Sequence, residues 1–302
     1  MFYENWMSYI KDDAKITKIA IPASHNAATM GMPKPARCQN GSLYKQYNCG
    51  VREFGIRLKT DRSGRLFIAH GITKGMPAEQ AFENLGMIVS ESDEFFIFDI
   101  RTYSTQKIGP LTLSYGSDPA AVSALIKKYL NPEKYALTDF DDIGSLTVGD
   151  IRKSGKKYLI INAAEEYDFS RGVPLLEPWD SKVFGYKPEK FAKECVNYLR
   201  ELETDGFFWF QTQQTPNPGT ENGLKWPDDL DELDRPFFPG IIADIAADPA
   251  MLEKVNIVAG DFMTRDSMKV NEILNLNLLK GVVKDELREE FAAAIGKGRD
   301  TK

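Results

Sequence analysis

The sequence contains two histidines, and each follows a run of apolar residues typical of a β-strand. His25 comes shortly after the run 16–22, and His70 ends the run 66–70. An imidazole titrates at a pKa of about 6.5, so near neutral pH one histidine can be poised as a general base and another as a general acid. The pair therefore predicts acid–base catalysis.

A third run, 50–57, lies between the two histidines and ends in Arg57. A guanidinium is permanently charged and forked, which suits an anionic oxygen of a phosphate or carboxylate and excludes a role as a base. With the histidines, Arg57 predicts phosphoryl transfer without a metal. One histidine would take a proton from an attacking hydroxyl, the other would protonate the leaving oxygen, and the guanidinium would stabilise the phosphate charge.

Three side chains at strand ends converge when the strands belong to a barrel, which delivers them to one face. The turn at 62–65 predicts that the second and third strands form a near hairpin, which would bring Arg57 close to His70. We predict strands over 16–22, 50–57, 66–70, 95–101, 157–162, 180–184, 206–213 and 255–262. We predict helices over 6–12, 42–48, 78–90, 120–130, 147–153, 188–203, 241–252, 267–279 and 285–294.

Composition is that of a globular protein, with 302 residues, of which 42% are hydrophobic and 27% charged. This length suits one large barrel or two medium domains, and one barrel is favoured because such folds often run to about 250 residues. The net charge of −6 argues against nucleic acid as a partner and against polybasic attraction to anionic lipid. Any membrane contact is expected to be hydrophobic.

No apolar run approaches the roughly 18 residues of a membrane-spanning helix, and the N-terminus lacks the pattern of a signal peptide. We expect a soluble chain, and the sequence leaves open whether a leader has been removed. Cys38, Cys49 and Cys195 show no metal-ligand spacing. Free thiols are favoured over a Cys38–Cys49 disulfide.

These motifs resemble those of the phosphatidylinositol-specific phospholipase C family, in particular its metal-independent members. Ser24-His25-Asn26 resembles the first catalytic motif, and the block 50–57 resembles the second. The match continues with Arg37-Cys38-Gln39, with Ala69-His70-Gly71 and with the late strand 256–262. The motifs extend over most of the chain, in the order that the family has them.

The resemblance implies an α/β fold, a single distorted (β/α)8 TIM-type barrel over residues 1–302, that cleaves phosphatidylinositol. His25 matches the general base for the inositol 2-hydroxyl, and His70 matches the general acid for the diacylglycerol oxygen. Arg57 matches the arginine that replaces calcium in the metal-free branch, and Asp261 matches the carboxylate that orients His25. The products would be diacylglycerol and inositol 1,2-cyclic phosphate.

Four further residues are expected to contact substrate: Asn26, Arg101, Asp99 and Gln211. Two positions depart from the metal-free pattern, because Asn26 and Gly55 stand where that pattern has aspartates. Asn26 is what the calcium-dependent branch carries, but a cation at Arg57 would repel a divalent metal. We therefore expect neither a metal nor another cofactor.

Two other functions remain open from the sequence. A metal-dependent glycerophosphodiester phosphodiesterase would need clustered carboxylates, for which Glu53 is the nearest candidate. A non-catalytic barrel that binds inositol lipid is the other. The motif at 37–39 is close to the branch that cleaves glycosylphosphatidylinositol, so a glycosylated substrate also stays open. We expect a monomer acting on inositol phospholipid at a membrane or micelle, either secreted or peripheral to the membrane.

The segment 215–240 is rich in proline and predicts a long irregular loop on the catalytic face. Its aromatic residues Trp226, Phe237 and Phe238 either pack on the barrel, which is slightly favoured, or form a rim that enters lipid.

Overall fold

The computed structural model describes residues 1–102, 105–108, 111–114, 118–161, 167–173, 175–176, 188–201, 203–213 and 231–297. The strands are β1 (Ile21–Ser24), β2 (Glu53–Thr60), β3 (Leu66–His70), β4 (Thr73–Pro77), β5 (Phe96–Thr102), β6 (Thr105–Ile108), β7 (Leu111–Ser114), β8 (Tyr158–Ile161), β9 (Ser170–Arg171), β10 (Leu175–Leu176), β11 (Phe207–Gln211) and β12 (Ile257–Gly260). The α-helices are α1 (Leu43–Asn48), α2 (Ala78–Glu91), α3 (Pro119–Leu130), α4 (Pro132–Tyr135), α5 (Val148–Ser154), α6 (Pro188–Glu201), α7 (Asp231–Asp234), α8 (Phe238–Ala247), α9 (Pro249–Lys254), α10 (Met268–Leu279) and α11 (Arg288–Lys297).

The main sheet has eight parallel strands in the order β10-β11-β12-β1-β2-β5-β8-β9. The first and last of these strands in the chain, β1 and β12, pair with each other. On the side of β1 follow β2, β5, β8 and β9, and on the side of β12 follow β11 and β10, so consecutive strands of the eight lie side by side, except β9 and β10. Helices connect most of these strands, as parallel pairing requires. The described residues form a curled half-barrel, in which no pairing joins β9 to β10. An α/β fold is therefore confirmed, whereas closure of the barrel stays a prediction.

The predicted hairpin between the second and third strands is confirmed, since β2 and β3 pair antiparallel. The Asp61 carboxylate accepts hydrogen bonds from the backbone N–H groups of Ser63 and Arg65, and Gly64 has a φ of +81°, as the tight turn requires. A further antiparallel strand, β4, extends the hairpin beyond His70 and was not predicted. Its residues lack the apolar alternation by which strands are recognised.

The core lies on both faces of the parallel strands. All residues of β1, β2, β8 and β12 are buried, which agrees with the apolar runs of the sequence. Phe54, Phe96 and Phe98 pack as neighbouring rings on β2 and β5. The helices α2, α8 and α10 cover the outer surface with their buried side chains. The positions of the strand ends are consequently fixed by packing on both sides.

The N-terminal segment covers the end of the sheet where the strands begin. The helix predicted over 6–12 is instead a short 3₁₀ turn, Trp6–Tyr9, and another such turn, Phe2–Glu4, precedes it. The Trp6 side chain is fully buried, and its indole N–H donates to the Gly50 carbonyl at 2.8 Å, just before β2. The site must therefore lie at the opposite end of the strands.

The first strand was predicted too early in the chain. Ile16–Lys18 forms a 3₁₀ turn, and β1 begins only at Ile21. Side-chain amides, instead of a neighbouring strand, form the hydrogen bonds to the backbone before β1. Asn256 donates to the Ile16 and Ile19 carbonyls, and Asn277 bonds to both the N–H and the carbonyl of Ala20. Such long-range contacts have no local signal in the sequence.

The predicted helix over 241–252 is also wrong, because it is two helices. α8 ends at Ala247, and Asp248 takes an extended conformation and caps α9 by accepting from the Ala250 and Met251 N–H groups. Pro249 occupies the first position of α9, where its missing N–H is tolerated. Proline also disfavours a helical conformation of the residue before it, here Asp248, which explains why α8 does not continue into α9.

The predicted strand over 180–184 and Trp226 lie outside the described residues. Of the loop predicted over 215–240, residues 231–240 are described, and they hold α7 and the beginning of α8 instead of irregular chain. Phe238 is fully buried, in agreement with the favoured packing role. Cys38 and Cys49 are free thiols, as predicted. Across the described ranges, every helix is too short or too polar to span a membrane.

Candidate active site

The predicted site residues lie near the level at which β1 and β12 end. His25 and Asn26 follow β1, and Asp261 follows β12. Arg57 lies on β2 beyond the last residue that pairs with β1, and Asp99 and Arg101 lie on the adjacent β5. The remaining two, His70 and Gln211, are the last residues of β3 and β11. The structure therefore places all eight at one end of the sheet.

His25 and Asp261 meet because β1 and β12 are in register, with Ser24 opposite Gly260. The next residue on each chain then lies beside its counterpart, and His25 Nδ1 is 2.8 Å from Asp261 Oδ1. An ionised carboxylate can only accept, so Nδ1 carries the hydrogen and Nε2 of the neutral ring is an acceptor. The Asn26 side-chain amide lies 3.0 Å from Nε2 and donates to it. Nε2 is therefore the basic nitrogen.

The pKa of His25 is raised to about 9, although its ring is buried. Burial lowers this pKa, while negative charge on Cys38 and Asp261 and their hydrogen bonds raise it. Burial raises the pKa of the Cys38 thiol above its usual value, so at neutral pH the thiol is uncharged. We therefore attribute the raised pKa of His25 to Asp261.

His70 faces His25, with ring centroids 6.1 Å apart and ring planes at 87°. Its Nδ1 lies 2.9 Å from the Ala36 carbonyl oxygen, which can only accept, so Nδ1 is protonated. The ring is fixed by this bond, and its other nitrogen, Nε2, is the one through which it can exchange a proton. The two histidines thus present one nitrogen each for proton transfer.

Cys38 lies between the histidines and was missed by the sequence analysis as a site residue. Its Sγ is 3.4 Å from His70 Nδ1 and 3.5 Å from Asn26 Nδ2, and the side chain is fully buried. Its position in the motif 37–39 was the signal that could have found it.

Gln39, in the same motif, contacts the loops that follow β1 and β12. Its side-chain amide donates to the His25 and Gly260 carbonyls at 2.9 Å each, and its Oε1 accepts from the Met263 N–H at 3.0 Å. One buried side chain therefore joins the loop after β1 to the loop after β12.

A second cluster provides positive charge. Arg57 Nη1 donates to Asp99 Oδ2 at 2.8 Å, and Arg101 Nε donates to Asp99 Oδ1 at 2.9 Å. The register of β2 with β5 creates this arrangement, because it sets Gly55 opposite Asp99 and Arg57 opposite Arg101. These three side chains alone, two guanidiniums and one carboxylate, sum to one positive charge, which suits a phosphate. Trp209 of β11, also missed, lies under both guanidiniums, with its ring centroid 5.3 Å from Arg57 Cζ and 4.8 Å from Arg101 Cζ.

The two departures from the metal-free pattern, Asn26 and Gly55, are neighbours. Asn26 has a φ of +46°, which asparagine tolerates better than most residues. A Cβ at Gly55 would lie 3.3 Å from the Ser24 carbonyl oxygen and 3.5 Å from the Asn26 nitrogen. Glycine at 55 therefore lets the chain of Asn26 pass close to β2.

The remaining candidates lie at the margin. Gln211 is opposite Ala259 of β12, and its Oε1 accepts from the side-chain amide of Gln213. Glu53 is buried on β2 opposite Ala23, which precedes His25 by two residues. The carboxylate of the metal-dependent alternative is thus deeper in the sheet than the histidines.

Comparison with solved structures shows a shared fold. The phosphatidylinositol-specific phospholipase C of Listeria monocytogenes matches with a TM-score of 0.61 and 16% identity, over 91% of this chain and 98% of that one. The Staphylococcus aureus enzyme of the same name, in a variant crystal structure, matches with a TM-score of 0.61 and 15% identity, over 91% and 97%.

The sequence match is shorter. The 1-phosphatidylinositol phosphodiesterase of Staphylococcus aureus strain Newman is 32% identical over 74 residues, and the sequence of strain NCTC 8325 matches to the same degree. The aligned segment covers 23% of this chain and only 24% of the strain Newman protein. No protein-family model matches the chain. The chain is thus similar to bacterial phosphatidylinositol-specific phospholipases C, in fold over nearly its whole length.

Replacing Asp261 by asparagine is expected to lower the pKa of His25 by about one to three pH units, because the amide still accepts from Nδ1 but no longer supplies negative charge. Since the chain has two histidines, proton NMR of the imidazole C–H signals resolves both titrations. Asp266→Asn, which alters a partly exposed carboxylate near the same loop, is the control and should leave the His25 titration in place. An unchanged His25 titration in Asp261→Asn would contradict our account of the pair.

Proposed function

We propose that this protein is a phosphatidylinositol-specific phospholipase C that works without a metal. The observation that carries the proposal is the arrangement of two histidines 6.1 Å apart beside the positive Arg57–Asp99–Arg101 cluster. The fold shared with the Listeria enzyme over 91% of the chain supports it. Acid, base and anion-binding groups are then all present at one end of one sheet.

In the proposed reaction, His25 is the general base. Its Nε2 takes the proton of the inositol 2-hydroxyl while that oxygen attacks the phosphorus. The Asn26 amide occupies Nε2 in the free protein at 3.0 Å, so the hydroxyl replaces it and the amide turns to the inositol. Asp261 stabilises the imidazolium that forms, which is the direction in which it shifts the pKa of His25.

His70 is the proposed general acid. Its Nε2 gives a proton to the glycerol oxygen as the bond from phosphorus to that oxygen breaks, so diacylglycerol leaves. The bond from Nδ1 to Ala36 fixes the ring during this transfer. One phosphorus–oxygen bond forms and one breaks, and the other product is inositol 1,2-cyclic phosphate.

Arg57 is proposed to bind the phosphate oxygens and to stabilise the charge that builds up in the transition state. Asp99 and the Trp209 ring orient its guanidinium, and Arg101 binds the same anion or an adjacent inositol hydroxyl. Gln211, at the end of β11, is proposed to contact the inositol ring. The positive charge of the cluster takes the place of a divalent metal.

This cluster also weighs against the metal-dependent alternative. The calcium or magnesium ion of such an enzyme requires oxygen ligands around it, whereas here Asp99 already binds two guanidiniums. Glu53 lies two residues deeper in the sheet than the level of His25. A non-catalytic lipid-binding role would need neither the Asp261 contact to His25 nor the fixed ring of His70.

We further propose that residues 1–302 form one domain, a distorted (β/α)8 barrel, acting as a monomer at a membrane surface and not on nucleic acid. Eight parallel strands in chain order are what such a barrel contains. The net charge of −6 favours hydrophobic over electrostatic contact with lipid.

Two exposed apolar side chains support that contact. Ile72 is 60% exposed and follows His70 by two residues. Met30 is 41% exposed in the loop that also carries Ala36, whose carbonyl binds His70. Both therefore lie at the edge of the proposed active site, where a lipid surface would bring the substrate.

Arg57→Lys keeps the charge but loses the fork, so we expect the turnover number for phosphatidylinositol to fall by about 10²-fold with a modest change in lipid binding. The assay is release of water-soluble inositol phosphate from micelles in excess chelator. Arg62→Lys, in the exposed β2–β3 turn, is the matched control. An unchanged turnover number in Arg57→Lys would remove Arg57 from the mechanism, and an inactive wild-type protein would refute the proposed function.

Ile72→Asn should weaken binding to phosphatidylinositol vesicles by about tenfold, because burying the exposed 60% of the isoleucine in an apolar phase is worth about 1.4 kcal/mol. Vesicle sedimentation measures the binding. Leu279→Asn is the control, because Leu279 is similarly exposed, at 49%, but lies at the opposite end of the sheet. Its position follows from the adjacent Lys280, which donates to the Lys18 and Val255 carbonyls before β1 and β12. Equal loss of binding in both variants, or none in Ile72→Asn, would contradict this placement of the membrane contact.

A further inference from the structure

Three side chains of different chemistry converge on one point in the proposed active site. One donor atom each from His25, Cys38 and Asp261 lies within 4.8 Å of the other two, and all three residues are buried. We propose that this cluster binds a soft divalent cation, with Zn²⁺ as the type case, and that the bound ion inactivates the site. Metal binding stands on the geometry alone, whereas inactivation rests on the proposed function.

The donor set defines the class of metal. A thiolate, an imidazole and a carboxylate are the ligands that zinc takes in proteins, at about 2.0–2.3 Å from the metal. Calcium and magnesium take oxygen ligands and gain nothing from the sulfur of Cys38. Ligands at those distances lie about 3–4 Å from one another in a tetrahedron. The donor atoms of the cluster lie within 4.8 Å of one another, so shifts of about 1 Å at most would bring them to that spacing. The site should therefore distinguish zinc from calcium.

A second observation points to a missing ligand. The side-chain oxygen of Asn26 is buried and has no hydrogen-bond partner within the described part of the chain. The nitrogen of the same amide contacts both His25 Nε2 and Cys38 Sγ. The Asn26 amide thus lies between two ligand atoms. Rotation of the amide would direct its unsatisfied oxygen to a bound cation. His70, with Nδ1 at 3.4 Å from Sγ, is next to the cluster as well.

The backbone around Cys38 is already held in place. The Cys38 N–H donates to Thr29 Oγ1 at 3.0 Å, and its carbonyl accepts from the Phe262 N–H at 2.7 Å. The second contact joins the loop of Cys38 directly to the residue after Asp261. Binding of a metal consequently requires little movement of the chain, which lowers its cost.

Binding forms a metal–sulfur bond and releases two protons to solvent, the thiol proton of Cys38 and the second ring proton of His25. His25 donates a nitrogen lone pair to the ion, so its imidazole can no longer accept the proton of a substrate hydroxyl. Asp261 binds the metal instead of stabilising an imidazolium. Zinc is therefore an inhibitor here, in contrast to a metal that activates water or polarises a phosphate.

The binding test uses Co²⁺, which takes zinc sites and gives a near-ultraviolet sulfur-to-metal charge-transfer band when a thiolate is a ligand. We expect the chelator-treated full chain to show this band with one equivalent of Co²⁺, and Zn²⁺ to abolish it. Cys38→Ser should lose the band. Cys49→Ser removes the second thiol that the described residues show as free, at the end of α1, and should keep the band.

His25→Ala provides a second test that retains the thiol, and it should bind Co²⁺ at least about tenfold more weakly. Absence of the band in the wild-type protein at saturating Co²⁺ would overturn the proposal. So would a band that persists in Cys38→Ser, or Co²⁺ affinity that is unchanged in His25→Ala.

Inactivation is measured separately, as phosphatidylinositol cleavage with added Zn²⁺ relative to each variant's own metal-free rate. Zn²⁺ should inhibit the wild-type protein, excess chelator should reverse this, and Ca²⁺ should have no such effect. The Zn²⁺ concentration for half-inhibition should rise at least about tenfold in Cys38→Ser. If the wild-type protein shows the Cys38-dependent band but cleaves no phosphatidylinositol, the proposed function is refuted and the metal site stands. If Zn²⁺ inhibits neither the wild-type protein nor Cys38→Ser, inactivation by the bound metal is refuted.

Discussion

The parallel pairing of β1 with β12 is the constraint on which the rest of the site depends. It joins strands that are more than 230 positions apart in the chain and sets Ser24 opposite Gly260. His25 and Asp261 then have to meet, and Gln39 holds the two loops at that spacing through three hydrogen bonds. Since packing on both faces fixes the strands, the site inherits the rigidity of the core.

Two kinds of electrostatic environment lie side by side at this end of the sheet. Around His25, a buried carboxylate favours a positive imidazole, whereas around Asp99 two guanidiniums outweigh one carboxylate. The surroundings of His25 suit a ring that gains a proton during the reaction. The surroundings of Asp99 suit a phosphate, which is negatively charged throughout the reaction. Both lie in a region of low dielectric, where such interactions are stronger than in water. The same closeness of His25, Asp261 and Cys38 that serves acid–base chemistry also creates the donor set of a soft-metal site.

The site residues were predictable where the sequence has a local signal. The apolar runs at His25, Arg57 and His70 indicated strands, although β2 continues past Arg57 to Thr60, and the β2–β3 hairpin followed from its turn. Side-chain contacts between distant segments gave no such signal. The late start of β1 depends on the amides of Asn256 and Asn277, and the position of Cys38 between the histidines depends on how its loop folds back on β12. The break before Pro249 did have a local signal, since proline rarely continues a helix.

The central claim is intramolecular attack on phosphorus at a site that uses arginine in place of a metal. Phosphorus NMR of the purified protein with phosphatidylinositol in detergent micelles, once with excess chelator and once with calcium, tests it most directly. The account predicts a cyclic inositol phosphate signal that appears at the same rate in both samples. Product only in the calcium sample would contradict the role of Arg57, and no cyclic product in either sample would contradict the reaction itself.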